Sequence, residues 1–402
     1  MTTKQTYEKA LELLKENSTE NGFFASIIVK SNYARIWSRD GVVQGLASLT
    51  SENKDLIKIF KRNLITLKKF QDKTGRIPSN INVNKNIISY GTLVGKVDAT
   101  LWYILGVGQY YKHTKDNKFL NEFKDSIKKA IFYLECLELN EKGLLYIPTG
   151  GDWADEYITH GYILFDQLLY LQALKEYESL RKILKKDTKK ITKKIKQLRK
   201  KILINYFPNL NKKNEDLIYN PGLYLKIARE FKEKYALIYF SSDGFANYLD
   251  CFANSLLLLM DLPSKKQKND IMKILNNQLS KQKLKILPAF WPPINSKNPF
   301  WKVLRMNSLF GFRNHPHKYH NGGLWPLIQG FYIASLVKQN KKSLAKKYLE
   351  KLSKILEKNK YNFNEYYNSK TYEPEGIKRI GFSAAGYIIA YNSLIKNKKI
   401  FK

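Results

Sequence analysis

Three carboxylates stand within five residues at Asp152-Trp153-Ala154-Asp155-Glu156, just after Gly150-Gly151. A large apolar ring threaded among acids does not suit a solvated face and points to a partly buried, concave site. A carboxyl held against an aromatic wall beside a second carboxylate has its pKa raised, and it can then protonate a leaving group near neutral pH. Cleavage of a glycosidic bond needs such a donor. Asp155 is therefore the expected general acid, with Trp153 beside it to help hold the sugar ring and Asp152 as a hydroxyl-binding neighbour that helps to raise its pKa. The same chemistry takes a second carboxylate to activate water. Asn364-Glu365-Tyr366-Tyr367-Asn368, a glutamate set among aromatic residues, offers Glu365 for that role.

Further residues could hold a sugar. Trp37-Ser38-Arg39-Asp40 places a stacking surface, a guanidinium and a carboxylate together, and Val97-Asp98-Ala99-Thr100-Leu101-Trp102 puts Asp98 in the first turn of a helix. Helix capping is the plainer alternative for Asp40 and Asp98. Gln167 lies among apolar neighbours, where an amide without partners would be costly, so it is expected to face a polar centre. His315, His317 and His320 invite a metal, but their spacing fits no helical metal pair and no cysteine joins them, so no metal is expected. His320 and Asn321 serve better as neutral donors to sugar oxygens, next to Trp325 and with Gly322-Gly323 allowing close approach.

Helical periodicity dominates the chain, and strand-like alternation is limited to pieces such as 24–29 and 236–240. Helices are expected at 41–51 and 53–73, at 96–113 and 117–138, and at 160–180 and 183–203. The pattern continues at 248–261 and 264–280, then 321–338 and 342–360, with 382–397 packing beside 4–17. Six hairpins that cannot each bury two faces are most simply closed into a ring, an all-α (α/α)6 toroid forming a single domain over 1–402. An insertion is expected at 204–247, with a helix over the mouth. The long loops carry the unusual residues, and long structureless loops in a compact domain are usually functional. Asp40, Asp98, Asp155, His320 and Glu365 all fall near the start of an inner helix and so gather at one mouth.

The longest apolar run, Ser255-Leu256-Leu257-Leu258-Leu259-Met260, is far too short to cross a bilayer. The first residues lack the apolar stretch of a secretion signal, so a cytoplasmic location is expected. Cys136 and Cys251 sit in apolar helical patterns, which suits buried thiols in a reducing compartment. The formal charge of +35 would suit a nucleic-acid binder. The excess is mostly lysine spread along helices such as 182–201, without an arginine cluster or a nucleic-acid motif, and no such partner is expected. The expected partner is a small carbohydrate, no cofactor is called for, and a homo-oligomer is compatible with the pattern.

Taken in order, Trp37-Ser38-Arg39-Asp40, the motif at 97–102, Trp153-Ala154-Asp155, Tyr319-His320-Asn321-Gly322-Gly323-Leu324-Trp325-Pro326, Asn364-Glu365-Tyr366-Tyr367 and Phe382-Ser383-Ala384-Ala385-Gly386-Tyr387 resemble the neutral/alkaline invertases, glycoside hydrolase family 100. The resemblance implies an (α/α)6 catalytic domain and hydrolysis of sucrose with inversion, Asp155 being the acid and Glu365 the base. Trp153-Ala154-Asp155 is also similar to the Trp-x-Asp of glycogen-debranching amylo-α-1,6-glucosidase domains, which makes a short α-glucan or other α-glucoside the alternative substrate. A carbohydrate-binding toroid without catalysis is the alternative of another class. The sequence departs from the family at Phe165, where a glutamate is usual, and at Asn368, where an aspartate is usual. Both departures are expected where the sugar beyond the scissile bond would be read.

Overall fold

The computed structural model describes residues 2–29, 32–91, 94–210, 215–306 and 311–402. Its helices are α1 (Thr2–Glu16), α2 (Ser38–Ser51), α3 (Lys54–Lys69), α4 (Val97–Thr114), α5 (Asn117–Cys136), α6 (Leu164–Ile183), α7 (Lys189–Asn205), α8 (Pro221–Glu230), α9 (Cys251–Leu259), α10 (Lys265–Lys281), α11 (Trp301–Met306), α12 (Pro326–Lys338), α13 (Lys342–Lys358) and α14 (Gly381–Ile395).

Two kinds of helix alternate, and their sequences say why. The outer helix α3 buries a single stripe, Leu56, Phe60, Leu64 and Leu67, and turns its lysines to solvent. The inner helices α4 and α12 are buried on nearly every side, α4 from Val97 to Tyr111 and α12 from Pro326 to Leu336. Caps separate the elements: Asn53 accepts from Leu56 N–H, Asp116 from Phe119 N–H and Asp250 from Ala253 N–H, and Ser264 with Gln267 forms a reciprocal capping box. The inner helices touch in the cyclic order α2, α4, α6, α9, α12, α14 and back to α2. Five hairpins are consecutive pairs, and the sixth joins α14 to α1 from the other end of the chain. The fold is an (α/α)6 toroid in one domain.

Short β-pairings stitch the loops together where the inner helices begin. Ile36 pairs with Ile81 and Trp37 with Asn80, Tyr162 with Phe240, Asp250 with Phe290, and Tyr366 with Glu375. They set two helix starts later than the periodicity suggests. Helix α6 begins at Leu164 because Tyr162–Ile163 is spent pairing with Tyr239–Phe240. Helix α12 begins at Pro326, whose fixed φ suits a first helical position, after Leu324 has bridged to Tyr367.

Residues 204–247 carry α8, which packs a small cluster of Ile218, Tyr224 and Ala228 against Ile204. Cys251 is buried as expected. Cys136, the last residue of α5, is exposed; the apolar stripe of that helix ends at Leu134. Among the described residues, no helix is long and apolar enough to cross a membrane.

Helices α12 and α14 approach most closely at two glycines. A Cβ at Gly330 would lie 2.2 Å from the Gly386 carbonyl oxygen, and backbone cannot yield as a side chain can. Gly330→Ala is expected to destabilise the protein by roughly 1–3 kcal/mol, read as a lower urea midpoint with an unchanged slope.

Candidate active site

The loops at the N-terminal ends of the inner helices surround a cavity of about 930 Å³, a size suited to a small ligand. Its lining comes from loops that are distant in sequence: Tyr33, Arg35 and Trp37 from the first, Asn80 and Lys96 from the second, Asp155 and Glu156 from the third, Arg313 and Tyr319 from the fifth, Glu365 and Glu375 from the sixth. None of the described lining residues belongs to 204–247, so α8 does not cover the mouth.

At the floor, Arg39 binds Asp98 at 2.8 Å and approaches Asp40 at 3.9 Å. Neither acid is an N-cap: Trp37 and Lys96 hold those positions. Both carboxyls instead lie in the first turns of α2 and α4, where the helix dipole favours negative charge. Burial pushes Asp40 up to about 6 against the pull of Arg39. Trp37 lines the cavity and donates its indole N–H to the Asn32 carbonyl at 2.9 Å, which fixes the ring.

The two central carboxylates have contrasting surroundings. Burial would raise Asp155, but Lys96 at 3.3 Å, with the Arg39 and Arg313 guanidinium groups nearby, more than offsets it, and the carboxyl is held below its ordinary value. This reverses the expected direction. Trp153 does not form an apolar wall against Asp155; it is buried among Phe165, Phe252, Phe290, His320 and Trp325. Glu365 moves the other way. Burial raises it to about 7, although Arg313 and the Tyr33 hydroxyl, which donates to Oε1 at 3.0 Å, both favour the ionised form. Gly376, at φ +71°, passes so close that a Cβ there would lie 2.6 Å from Glu365 Oε2. Only glycine lets the last loop close around this carboxylate. Burial also keeps Tyr33 protonated, well above its usual range, so it remains a donor.

Seven of the expected binding residues stand behind the lining. Asp98 is covered by Arg39. Asp152 is fully buried and accepts from Ala154 N–H at 3.1 Å and Thr159 at 3.2 Å, so it shapes the loop; burial and Asp98 push it up to about 7. Gln167 faces no polar centre, because its amide spans both the N–H and the C=O of Leu145, each at 2.9 Å. Asn321 does the same for Ile294 and also donates to the Asn314 carbonyl. Trp325 donates to the Tyr319 carbonyl and stacks beneath Tyr366 and Phe382, which do line the cavity. His320 is buried and stacked on Trp325, and burial lowers it to about 3, so it is neutral. Trp153 completes the seven. The departures at Phe165 and Asn368 are also buried: Phe165 packs on Trp153, and Asn368 donates to Glu375 and turns the loop through Lys370 and Thr371.

Residues that sequence reasoning passed over complete the site. Arg313 grips Glu156 with two bonds, at 3.0 and 2.6 Å, and lies 4.4 Å over the Tyr319 ring. Lys318 pairs with Glu375 at 3.1 Å. Lys96 looked like an ordinary residue before a helix, and Tyr33 like one aromatic among many.

A ring of six helical hairpins with two carboxylates, an aromatic lining and a cation-bound floor defines a glycoside hydrolase of the six-hairpin class. The sequence pattern of the alkaline and neutral invertases, glycoside hydrolase family 100, matches residues 15–231 and 247–397, most of the chain. The protein belongs to that family. No curated protein sequence matches the chain significantly. Solved structures share the fold at low identity. The family 63 mannosylglycerate hydrolase of Thermus thermophilus, in complex with Tris and D-glycerate, aligns with TM-score 0.66 and 12% identity over 96% of this chain and 99% of that one. A bacterial glucoamylase complexed with acarbose gives 0.67 and 15%, over 98% and 56%. The glucoamylase of Saccharomycopsis fibuligera gives 0.65 and 11%, over 100% and 96%.

A carboxylate pair that works as acid and base needs one shared proton. Below about pH 7 the unliganded protein holds that proton on Glu365, and above it the proton is lost. The expected kcat/KM therefore falls about tenfold per pH unit on the alkaline side of pH 7. Tyr33→Phe removes a bond that favours ionised Glu365, so this limb moves to higher pH. A limb that stays in place in the variant reports some other group.

Proposed function

We propose that the protein is an inverting hydrolase of an α-glucosyl linkage, with sucrose the first substrate and a short α-glucan or other α-glucoside the second. The observation that carries this reading is the convergence of Asp155 and Glu365, from the third and sixth loops, on one cavity of sugar-accommodating size. Family membership supports the substrate class.

In this reading the glucosyl ring stacks on Trp37, and its hydroxyls bond Arg39 and Asp40. Asp155 gives its proton to the glycosidic oxygen, so that the C–O bond breaks with neutral alcohol leaving. Glu365 takes a proton from water, which attacks the anomeric carbon from the opposite face. Tyr33 holds the Glu365 carboxylate and orients it. Asp155 must acquire its proton in the complex, which follows if the substrate draws Lys96 away from it.

The ionisation of the unliganded site favours a second reading, in which Glu365 is the acid and Asp155 the base. Hydrolysis of α-glucosyl fluoride separates the two, because fluoride leaves without protonation. Asp155→Asn is expected to lose about 10²–10⁴-fold on sucrose while keeping most fluoride hydrolysis. Glu365→Gln is expected to lose both. The reverse pattern assigns the acid to Glu365, and unchanged sucrose turnover in both variants would end the assignment of the chemistry to these two carboxylates.

A further inference from the structure

The ionised groups lining the cavity are nearly all matched. Asp40 faces Arg39, Asp155 faces Lys96, Glu156 holds Arg313, and Glu375 holds Lys318. Among the described lining residues, two groups have no oppositely charged partner within ion-pair distance: Glu365 and Arg35. Glu365 has a use without one, since a carboxylate that activates water works best uncompensated. Arg35 has no such use. Its one side-chain hydrogen bond goes from Nη1 to Asn80 Oδ1 at 3.0 Å, which leaves most of a five-donor fork unspent.

Its place in the fold indicates what it would meet. Arg39 and Asp40 lie in the first turn of α2, at the cavity floor. Arg35 comes before the strand Ile36–Trp37 and is tied to the strand Asn80–Asn82, whose partner strand carries the exposed Ile87 and Ile88. It therefore belongs to the rim, where the part of a substrate beyond the cleaved sugar would lie. A guanidinium binds carboxylate and phosphate in matched two-point geometry and binds hydroxyls without that advantage.

We propose that the cavity takes an α-glycoside whose leaving group carries an anion, a carboxylate or a phosphate, and that Arg35 is the residue that reads it. This rests on the hydrolase reading and adds the leaving group's charge to it.

Two matched pairs of substrates test it. Glucosylglycerate against glucosylglycerol changes only a carboxylate for a hydroxymethyl group, and sucrose carrying a phosphate on its fructosyl 6-position against sucrose adds only the phosphate. The wild-type protein is expected to favour the charged member of at least one pair by about tenfold or more in kcat/KM, as a charge-assisted bond would give, and the pair that shows it identifies the anion. Arg35→Gln should bring that ratio towards one through KM, and Arg35→Lys should restore part of it. Because Arg35 is half-exposed, thermal melting of each variant separates a folding defect from a binding one. Equal turnover of charged and neutral members overturns the anion site and leaves the hydrolase standing. A preference that survives in Arg35→Gln overturns the assignment to Arg35. Failure to cleave any of the four glycosides, a short α-glucan or α-glucosyl fluoride ends both readings.

Discussion

Because Asp155 and Glu365 reach the cavity from the third and sixth loops, the site depends on closure of the inner ring at the seam between α14 and α2. The end of the chain returns there to its beginning. Gly381 N–H donates to the Ala25 carbonyl at 2.8 Å, and the Ser26 hydroxyl donates to the Lys378 carbonyl at 2.9 Å. These bonds hold the first and last loops edge to edge, and the Tyr33 hydroxyl meets Glu365 across the same join. A seam opened by a few tenths of an ångström would leave every helix intact and still part Glu365 from the Tyr33 hydroxyl that bonds it. Catalysis tolerates little misplacement of that kind.

Within the closed ring, charge is arranged by pairing. Arg39 ties the first turns of α2 and α4 together through Asp98 and sets the floor. Lys96, which caps α4 by position, also bonds the Gly150 carbonyl and so reaches into the loop that carries Asp155. The two central carboxyls are pushed to opposite sides of their ordinary values by these neighbours, Asp155 down by cations and Glu365 up by burial. Groups that titrate far apart in one cavity are what an acid and base pair requires.

The helical architecture was legible because its signals are local. An inner helix such as α12 reads as apolar on all sides and an outer one such as α3 as a single stripe, and short connections distinguish hairpins from the functional loops. Asp155, Glu365, Arg39, Asp40 and Trp37 were legible as residues of the cavity lining because carboxylates and aromatics interleave around them. Gln167 and Asn321 were misread for a physical reason: a buried amide can satisfy itself on the backbone of a loop far away in sequence, and nothing near it announces that partner. Lys96 and Tyr33 escaped notice for the same reason, since their partners lie in other loops. Trp153 was expected at the sugar, but the tight turn shaped by Asp152 sends its ring inward while Asp155 faces out. Strand pairs two residues long have no alternation to read.

If one of these two carboxylates directs water to the face of the sugar opposite the leaving group, the anomeric carbon is inverted on release. Proton NMR of the reaction mixture in its first seconds to minutes, before mutarotation, follows the anomer of the newly released glucose. From an α-glucoside, β-glucose is expected as the first product, and α-glucose appearing first would rule out attack from the opposite face.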